Sequence, residues 1–173
     1  MQYKQSTLNR TDSLPNLNGL TIFITGGNRG IGLATAMLAA RDGANIAIAA
    51  KTSEPHPKLP ETIYTAAEKL TKAGGNILPI KTDIRDEKSV EDAVAQTVEK
   101  FGGIDILVNN ASALSMDNTV NITMKAYDLS YGVTVRGTFM VTKYCLPHLL
   151  KSEHAHMLTM SPPLTKDPNV IKN

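Results

Sequence analysis

Apolar runs of two kinds alternate along this chain from Leu20 onward, and this alternation limits the fold more than any other feature. Short runs rich in β-branched residues predict strands, and longer runs with helical spacing predict helices. The predicted strands are 20–25, 45–50, 76–81, 104–110 and 154–160. The predicted helices are 31–43, 60–75, 86–103 and 123–151. Strands that are apolar almost throughout and joined by helices are typical of a parallel sheet covered on both faces, so we predict an α/β, doubly wound sheet of about five strands.

Single residues indicate where some of these helices begin and end. Gly43 is predicted to end the helix over 31–43, because glycine readily adopts the left-handed conformation that follows a helix. Pro60 is predicted at the first position of the helix over 60–75, where its fixed φ suits a helix start.

The sequence TGGNRGIG, at 25–32, lies between the first predicted strand and the first predicted helix. Glycines there let the backbone turn tightly and point N–H groups at an anion, and the helix dipole adds to the attraction. The spacing is not that of a P-loop, because no Lys-Ser or Lys-Thr pair follows the last glycine. We therefore predict a Rossmann-type dinucleotide site, with the pyrophosphate held by this loop.

The residues after the second strand favour one dinucleotide over the other. A protein that binds NAD usually places Asp or Glu there to accept a hydrogen bond from the ribose 2′-hydroxyl. This chain has Ala49, Ala50 and Lys51 instead. With Arg29 in the glycine loop, Lys51 would present positive charge to a 2′-phosphate, so NADP(H) is predicted over NAD(H). The alternative is that Lys51 is a solvated loop residue.

Three further polar residues follow the second and third strands. His56 and Lys58, in a proline-rich segment, either join the phosphate pocket or belong to an exposed connector. Asp83 either accepts a hydrogen bond from the adenine amino group or caps a turn.

The charge balance and the cysteine content limit what the chain can bind. Lys plus Arg number 18 and Asp plus Glu number 16, and this balance argues against a nucleic-acid surface. Cys145, which has no second cysteine to pair with, is expected either to pack inertly or to be a reactive thiol. No metal site is predicted.

Hydropathy places the chain inside the cell without a membrane span. Residues 1–18 are polar and lack the apolar core of a signal peptide, and no run approaches the ~18 apolar residues of a membrane helix. We expect 1–18 to be an N-terminal extension and 19–173 to be an incomplete NADP-binding domain.

TGGNRGIG, TDIRD and DILVNNAS together resemble the short-chain dehydrogenase/reductase family, and the resemblance covers about 17 to 170. It implies that the glycine loop wraps the pyrophosphate, that Lys51 contacts the adenosine ribose or its 2′-phosphate, and that Asp83 contacts adenine. It also implies that Asn110 lies against the nicotinamide half and that Asn109 stabilises the centre of the sheet. The loop residues with this implied role are Gly26, Gly27, Asn28, Arg29, Gly30, Ile31 and Gly32.

The implied reaction is hydride transfer to or from a carbonyl or alcohol carbon, with a Tyr and a Lys spaced Y-x-x-x-K, a Ser and an Asn. This chain departs from that set. No Y-x-x-x-K occurs in it, and Thr134 stands where the family has its asparagine. Ser161 lies one residue before the usual serine, where Pro162 stands, so Ser161 has either a modified catalytic role or only a strand-end role.

Three interpretations follow from the resemblance. The chain is the amino-terminal part of an NADP-dependent oxidoreductase, a nucleotide-binding pseudoenzyme or truncated isoform, or a fragment too incomplete to fold alone. The family implies a small carbonyl or alcohol substrate, a homo-oligomer formed through 123–151 and the next helix, and a peroxisomal or mitochondrial location without a visible targeting signal.

Overall fold

Five parallel strands form one sheet in the computed structural model, which describes residues 16–57 and 60–161. The strands are β1 Thr21–Thr25, β2 Asn45–Ala50, β3 Asn76–Lys81, β4 Ile106–Asn109 and β5 His156–Thr159. Their order across the sheet is β3-β2-β1-β4-β5, so the chain moves outward from β1 in one direction and then returns to the other side of it. The predicted α/β, doubly wound sheet is confirmed.

Helices cover both faces of the sheet. They are α1 Gly30–Arg41, α2 Ile63–Lys72, α3 Glu87–Phe101, α4 Met124–Tyr131 and α5 Thr138–Leu149. Along β1, Ile22 and Ile24 point to the face covered by α1 and α2, while Phe23 points to the face covered by α3 and α5. The two resulting cores explain why the central strands are apolar throughout.

The ends of the helices follow their capping residues. Gly43 adopts φ +83° just after α1, as predicted. The predicted role of Pro60 at the start of α2 is wrong, because α2 begins at Ile63. Thr62 precedes it and forms a capping box, in which the Thr62 hydroxyl accepts from the Thr65 N–H at 3.1 Å. The capping box pairs the backbone N–H groups of Thr62 and Thr65 with the two threonine hydroxyls, whereas a proline side chain has no acceptor for such a bond.

The helical region predicted over 123–151 is helical but not uniform. A π-helical segment, Gly132–Gly137, separates α4 from α5. Its last residue packs tightly on Ile84, since a Cβ at Gly137 would lie 2.8 Å from two Ile84 carbons. This segment brings the long helix against the loop that follows β3.

The strand β5 differs from the central strands, because all four of its residues are exposed. Among the described strands it pairs only with β4. The prediction that strands are covered on both faces therefore holds for β1 and β2 but not for this edge. In the described part of the chain, no helix has the length and apolar character needed to cross a membrane.

Candidate dinucleotide site

A groove of about 410 Å³ opens where the carboxyl ends of β1 to β4 meet. This volume lies in the range of small-molecule and cofactor sites. The predicted site residues in its wall are Gly26, Asn28, Arg29, Gly30, Ile31, Lys51, Asp83 and Asn110. Gly27, Gly32 and Ser161 are not part of the wall. Most of the predicted residues therefore share one concave surface, as the topology of a doubly wound sheet requires.

The glycine loop leads directly into the first turn of α1, whose end faces the groove. Gly30 has φ +55°, which favours glycine, and a Cβ built there would have no atom within 4 Å. Arg29 is the N-cap, and its side chain accepts no hydrogen bond from the helix. The first turn of α1 thus has no side-chain cap and lies beside the groove, and the positive end of its helix dipole fits a pyrophosphate there.

Asn110 holds the glycine loop in place. Its Nδ2 donates to the Thr25 carbonyl at 2.9 Å and to the Gly26 carbonyl at 3.1 Å. The Thr25 hydroxyl accepts from the backbone N–H groups of Asn110 and Ala111, each at 3.0 Å. The amide of Asn110 therefore braces the loop, and its implied contact with the nicotinamide half stays a prediction. Thr25 belongs to the segment that the sequence singled out, but the bonds of its hydroxyl to the chain after β4 were not predicted.

Gly32 permits the close approach on which this brace depends. A Cβ at Gly32 would lie 2.5 Å from the Gly26 carbonyl oxygen and 2.5 Å from Asn110 Nδ2. Only a residue without a side chain lets α1 pass this near to the loop. The role of Gly32 is to shape the loop, although it does not line the groove.

Asn28 and Gly27 tie the loop to the structure packed against it. The buried Asn28 side chain donates through Nδ2 to the Glu61 carbonyl at 3.3 Å, and this bond ties the loop to the segment before α2. A Cβ at Gly27 would lie 2.8 Å from Ile24 Cγ2, so this glycine packs on the core.

Charged residues meet at the far end of the groove, after β2 and β3. Lys51 Nζ lies 3.1 Å from Asp83 Oδ2, and Arg85 Nη2 lies 2.6 Å from the same oxygen. The Arg85 guanidinium holds the pKa of the Asp83 carboxyl well below its usual range, and Lys51 acts in the same direction while partial burial opposes both. Asp83 is therefore ionised at neutral pH. Arg85 was missed by sequence reasoning, although it stands two residues after Asp83.

The remaining candidate residues that the structure describes, Ser161, Thr134 and His56, do not line the groove wall. Ser161 is exposed and follows β5, and Pro162 lies outside the described residues. The Thr134 hydroxyl bonds to both backbone groups of Ala113, at 3.2 and 3.3 Å, and so joins the π-helical segment to the chain after β4. His56 is exposed in the connector after β2, and Lys58 lies outside the described residues.

Asn109 and Cys145 are buried, and both contribute to packing between the sheet and its helices. Asn109 donates through Nδ2 to the Thr142 hydroxyl at 3.1 Å, which links β4 to α5 as its implied role in the sheet requires. Burial in the core raises the pKa of the Cys145 thiol to about 12, so it stays protonated at neutral pH and packs as a small apolar residue. Within 16–57 and 60–161 no group of three or more His, Cys, Asp or Glu residues could hold a metal ion.

Known proteins resemble this chain over most of its length. Hydroxysteroid dehydrogenase-like protein 2 of Danio rerio is 59% identical over 157 residues, which is 91% of this chain and 38% of that protein. The Homo sapiens protein of the same name is 56% identical over 158 residues, again covering 38% of the relative. This chain therefore spans well under half the length of these curated relatives.

Solved structures resemble it as well. A short chain dehydrogenase from Mycobacterium thermoresistibile aligns with a TM-score of 0.84 and 54% identity, covering 89% of this chain and 55% of that one. An NADH-dependent reductase, A1-R′, solved in complex with NAD, aligns with a TM-score of 0.66 and 35% identity, covering 77% and 53%.

A family model described as short chain dehydrogenase matches residues 20–171, a range that includes each strand and helix that the structure describes. Proteins of this family bind a nicotinamide dinucleotide, and the groove with its glycine loop fits such a ligand. The chain belongs to the short-chain dehydrogenase/reductase family.

Proposed function

We propose that this chain is the NADP(H)-binding part of a short-chain dehydrogenase/reductase whose reaction is carried out on a small carbonyl or alcohol. The observation that carries the choice of dinucleotide is the end of β2. Ala49, Ala50 and Lys51 form the groove wall there, where a binder of unphosphorylated NAD would have a carboxylate. A carboxylate would repel a 2′-phosphate, whereas an ammonium group attracts it.

Different residues of the groove bind different parts of the dinucleotide. The first turn of α1 and the loop before it donate backbone N–H groups to the pyrophosphate. Lys51, whose side chain is 68% exposed, and the exposed Arg29 supply positive charge to the 2′-phosphate. When bound, the nicotinamide ring of the dinucleotide supplies or accepts the hydride of the family reaction.

The fold alone does not decide between the two dinucleotides, since A1-R′ is an NADH-dependent reductase with a similar structure. The proposal therefore depends on local charge. The charged residues that line the groove are Arg29, Lys51, Arg85 and Asp83, and three of these four are cations.

We expect Lys51→Ala to weaken NADPH binding about tenfold and NADH binding less than about twofold, because one charge-assisted contact to the 2′-phosphate is lost. Fluorescence titration of the chain with each dinucleotide measures both dissociation constants. Lys72→Ala is the matched control, because Lys72 is exposed in the last turn of α2 and does not line the groove. Equal affinity of the unmodified chain for NADPH and NADH would refute the assignment of NADP(H).

A second candidate function is dinucleotide binding without turnover. The observation that favours it is the absence of Y-x-x-x-K from these 173 residues. The resemblance also implies that Thr134 stands where the family has its asparagine. We expect the purified chain to bind NADPH but not to oxidise it in the presence of a panel of ketones and aldehydes. Loss of NADPH absorbance above that of a protein-free control would show that the chain itself turns over.

Location and assembly stay predictions. A peroxisomal or mitochondrial location and a homo-oligomer were expected from the resemblance, and both concern whole proteins of which this chain spans 38% in the curated relatives.

A further inference from the structure

Two threonine hydroxyls hold the chain that follows β4. The Thr25 hydroxyl accepts from the backbone N–H groups of Asn110 and Ala111, each at 3.0 Å. Further along, the Thr134 hydroxyl accepts from the Ala113 N–H at 3.3 Å and donates to the Ala113 carbonyl at 3.2 Å. A hydroxyl can donate and accept at once, so one side chain pairs both backbone groups of a residue that lies beyond the end of its strand. The segment between the two threonines' contacts is therefore fixed at both ends.

The residues of this segment form one wall of the groove. Ala111 and Ser112 line it beside Asn110, after β4, and Lys51 lines it on the other side, after β2. In the sheet, β2 and β4 flank β1. A dinucleotide with its 2′-phosphate at Lys51 and its pyrophosphate at the glycine loop would therefore extend its nicotinamide half toward the chain after β4. The segment held by the two threonines belongs to the nicotinamide end of the groove.

Thr134 can act as an anchor because the π-helical segment that carries it is itself fixed. Gly137, at the end of that segment, packs on the buried Ile84, and Arg136 Nη1 donates to the Arg85 carbonyl at 2.8 Å. The segment thus contacts the loop after β3 on one side and the chain after β4 on the other. Because β2 and β1 lie between β3 and β4, these two parts of the groove wall are joined by the π-helical segment and not by strand pairing.

We propose that Thr134 is a positioning residue for the nicotinamide half of the dinucleotide: its hydroxyl fixes Ala113 and so keeps Ser112 in place in the groove wall. Thr134 does not line the groove, so it acts through the backbone and not on the ligand. An asparagine amide, which the resemblance places at this position, also offers a donor and an acceptor. Threonine therefore retains both groups that the backbone of Ala113 needs. This inference rests on the proposed NADP(H) function and adds a residue to it.

The test compares NADPH with 2′,5′-ADP, a fragment that has the adenosine and the 2′-phosphate but no nicotinamide. Thr134→Val keeps the branched shape of the side chain and removes both hydrogen bonds. Isothermal titration calorimetry is expected to show NADPH binding weakened about three- to tenfold and 2′,5′-ADP binding weakened less than about twofold, because two neutral bonds at an exposed site are lost near one half of the ligand only. The fluorescence enhancement of bound NADPH is expected to fall as well, because the nicotinamide ring is held less firmly.

Conservative variants and a control separate the hydroxyl from general effects on the fold. Thr134→Ser keeps the hydroxyl and Thr134→Asn supplies a donor and an acceptor, so both are expected to bind NADPH within about twofold of the original chain. Thr138→Val is the matched control, because Thr138 follows one turn later, does not line the groove and has no side-chain hydrogen bond within the described residues. It is expected to leave both affinities unchanged. Melting temperatures of all variants show whether each is folded.

The outcomes distinguish this inference from the proposed function. If Thr134→Val weakens NADPH and 2′,5′-ADP by the same factor, or weakens neither, the positioning role is wrong. A loss of NADPH affinity in Thr134→Ser as large as that in Thr134→Val overturns it too. If the original chain binds NADH as tightly as NADPH, the assignment of NADP(H) fails, while an unequal loss in Thr134→Val still supports the positioning role. If the original chain binds no dinucleotide, the proposed function fails and this inference fails with it.

Discussion

A Gly32→Ala variant is expected to lose most of its dinucleotide binding and part of its stability. The added Cβ would lie 2.5 Å from the Gly26 carbonyl oxygen and 2.5 Å from Asn110 Nδ2, and the first of these is backbone that cannot rotate away. The loop must therefore move off α1. Forced shifts of this kind cost about 1–3 kcal/mol of folding free energy, which for a chain of this size lowers Tm by roughly 2–12 °C.

The effect on binding follows from the same movement. The N–H groups that would hold the pyrophosphate belong to the loop and to the first turn of α1, so a shift between them misaligns several donors at once. Losing one charge-assisted hydrogen bond costs about 1.5–3 kcal/mol, so we expect NADPH affinity to fall about 10- to 100-fold. Isothermal titration calorimetry measures the NADPH affinity directly. NADH affinity is expected to fall by the same factor, because both dinucleotides contain the pyrophosphate.

Gly103→Ala is the matched control for this prediction. A Cβ at Gly103 meets no atom within 4 Å, and its φ lies outside the range that favours glycine. The control variant is expected to keep both the original Tm and the original affinity. Should Gly32→Ala bind NADPH as well as the control does, the close approach of α1 to the loop would not matter for the ligand.

The sequence was sufficient to predict the sheet, because the central strands are buried on both faces and are therefore continuous apolar runs. The predicted bounds of β2 and β3 are those observed, since 45–50 and 76–81 are apolar runs set off by glycines. Helix starts were less predictable. Both Pro60 and Thr62 are plausible residues at the start of α2. The helix follows Thr62, because Thr62 and Thr65 form reciprocal hydrogen bonds, and neither residue alone indicates this pairing.

The π-helical segment had no signal in the sequence. Its last residue, Gly137, packs on Ile84, and these two residues are far apart along the chain. Hydrophobic periodicity indicates which face of a helix is buried, and it carries no information on a local change to the i→i+5 hydrogen bonds of a π-helix.

The members of the site could be predicted better than their roles. Strand ends gather at one edge of a parallel sheet, so the predicted topology is sufficient to bring Gly30, Lys51 and Asp83 to one groove. Their partners could not be predicted. Arg85 forms a salt bridge with Asp83, and Asn110 donates to the Gly26 carbonyl. Both contacts depend on side-chain directions that only the folded chain defines.

An Asn110→Asp variant is expected to be less stable by about 2–4 kcal/mol near neutral pH, because it replaces a donor with a charged acceptor at a site that needs a donor. Asn110 Nδ2 serves the carbonyls of Thr25 and Gly26, and a carboxylate of the same shape would repel both. The glycine loop would lose its brace, so NADPH affinity is also expected to fall about tenfold or more. Chemical unfolding gives the stability, and titration of the folded protein gives the affinity.

The pH dependence of this variant provides a sharper test. A protonated carboxyl can donate to one carbonyl, so folding favours the protonated form and raises the pKa of the introduced group above the ~3.9 of an unfolded aspartate. A raised pKa in the folded state means that the group contributes stability at low pH and loses it as pH rises through that pKa. The stability gap between the variant and the original chain is therefore expected to narrow on acidification.

Asn118→Asp is the matched control, because Asn118 Oδ1 only accepts, from the N–H groups of Val120 and Asn121 at 3.1 and 3.0 Å. A carboxylate accepts these bonds as well as an amide does, so stability and NADPH affinity should stay unchanged at neutral pH. If Asn110→Asp is no less stable than Asn118→Asp, the amide of Asn110 does not brace the loop. A stability gap that is constant from neutral to acidic pH would instead mean that the loss comes from packing and not from the missing donor.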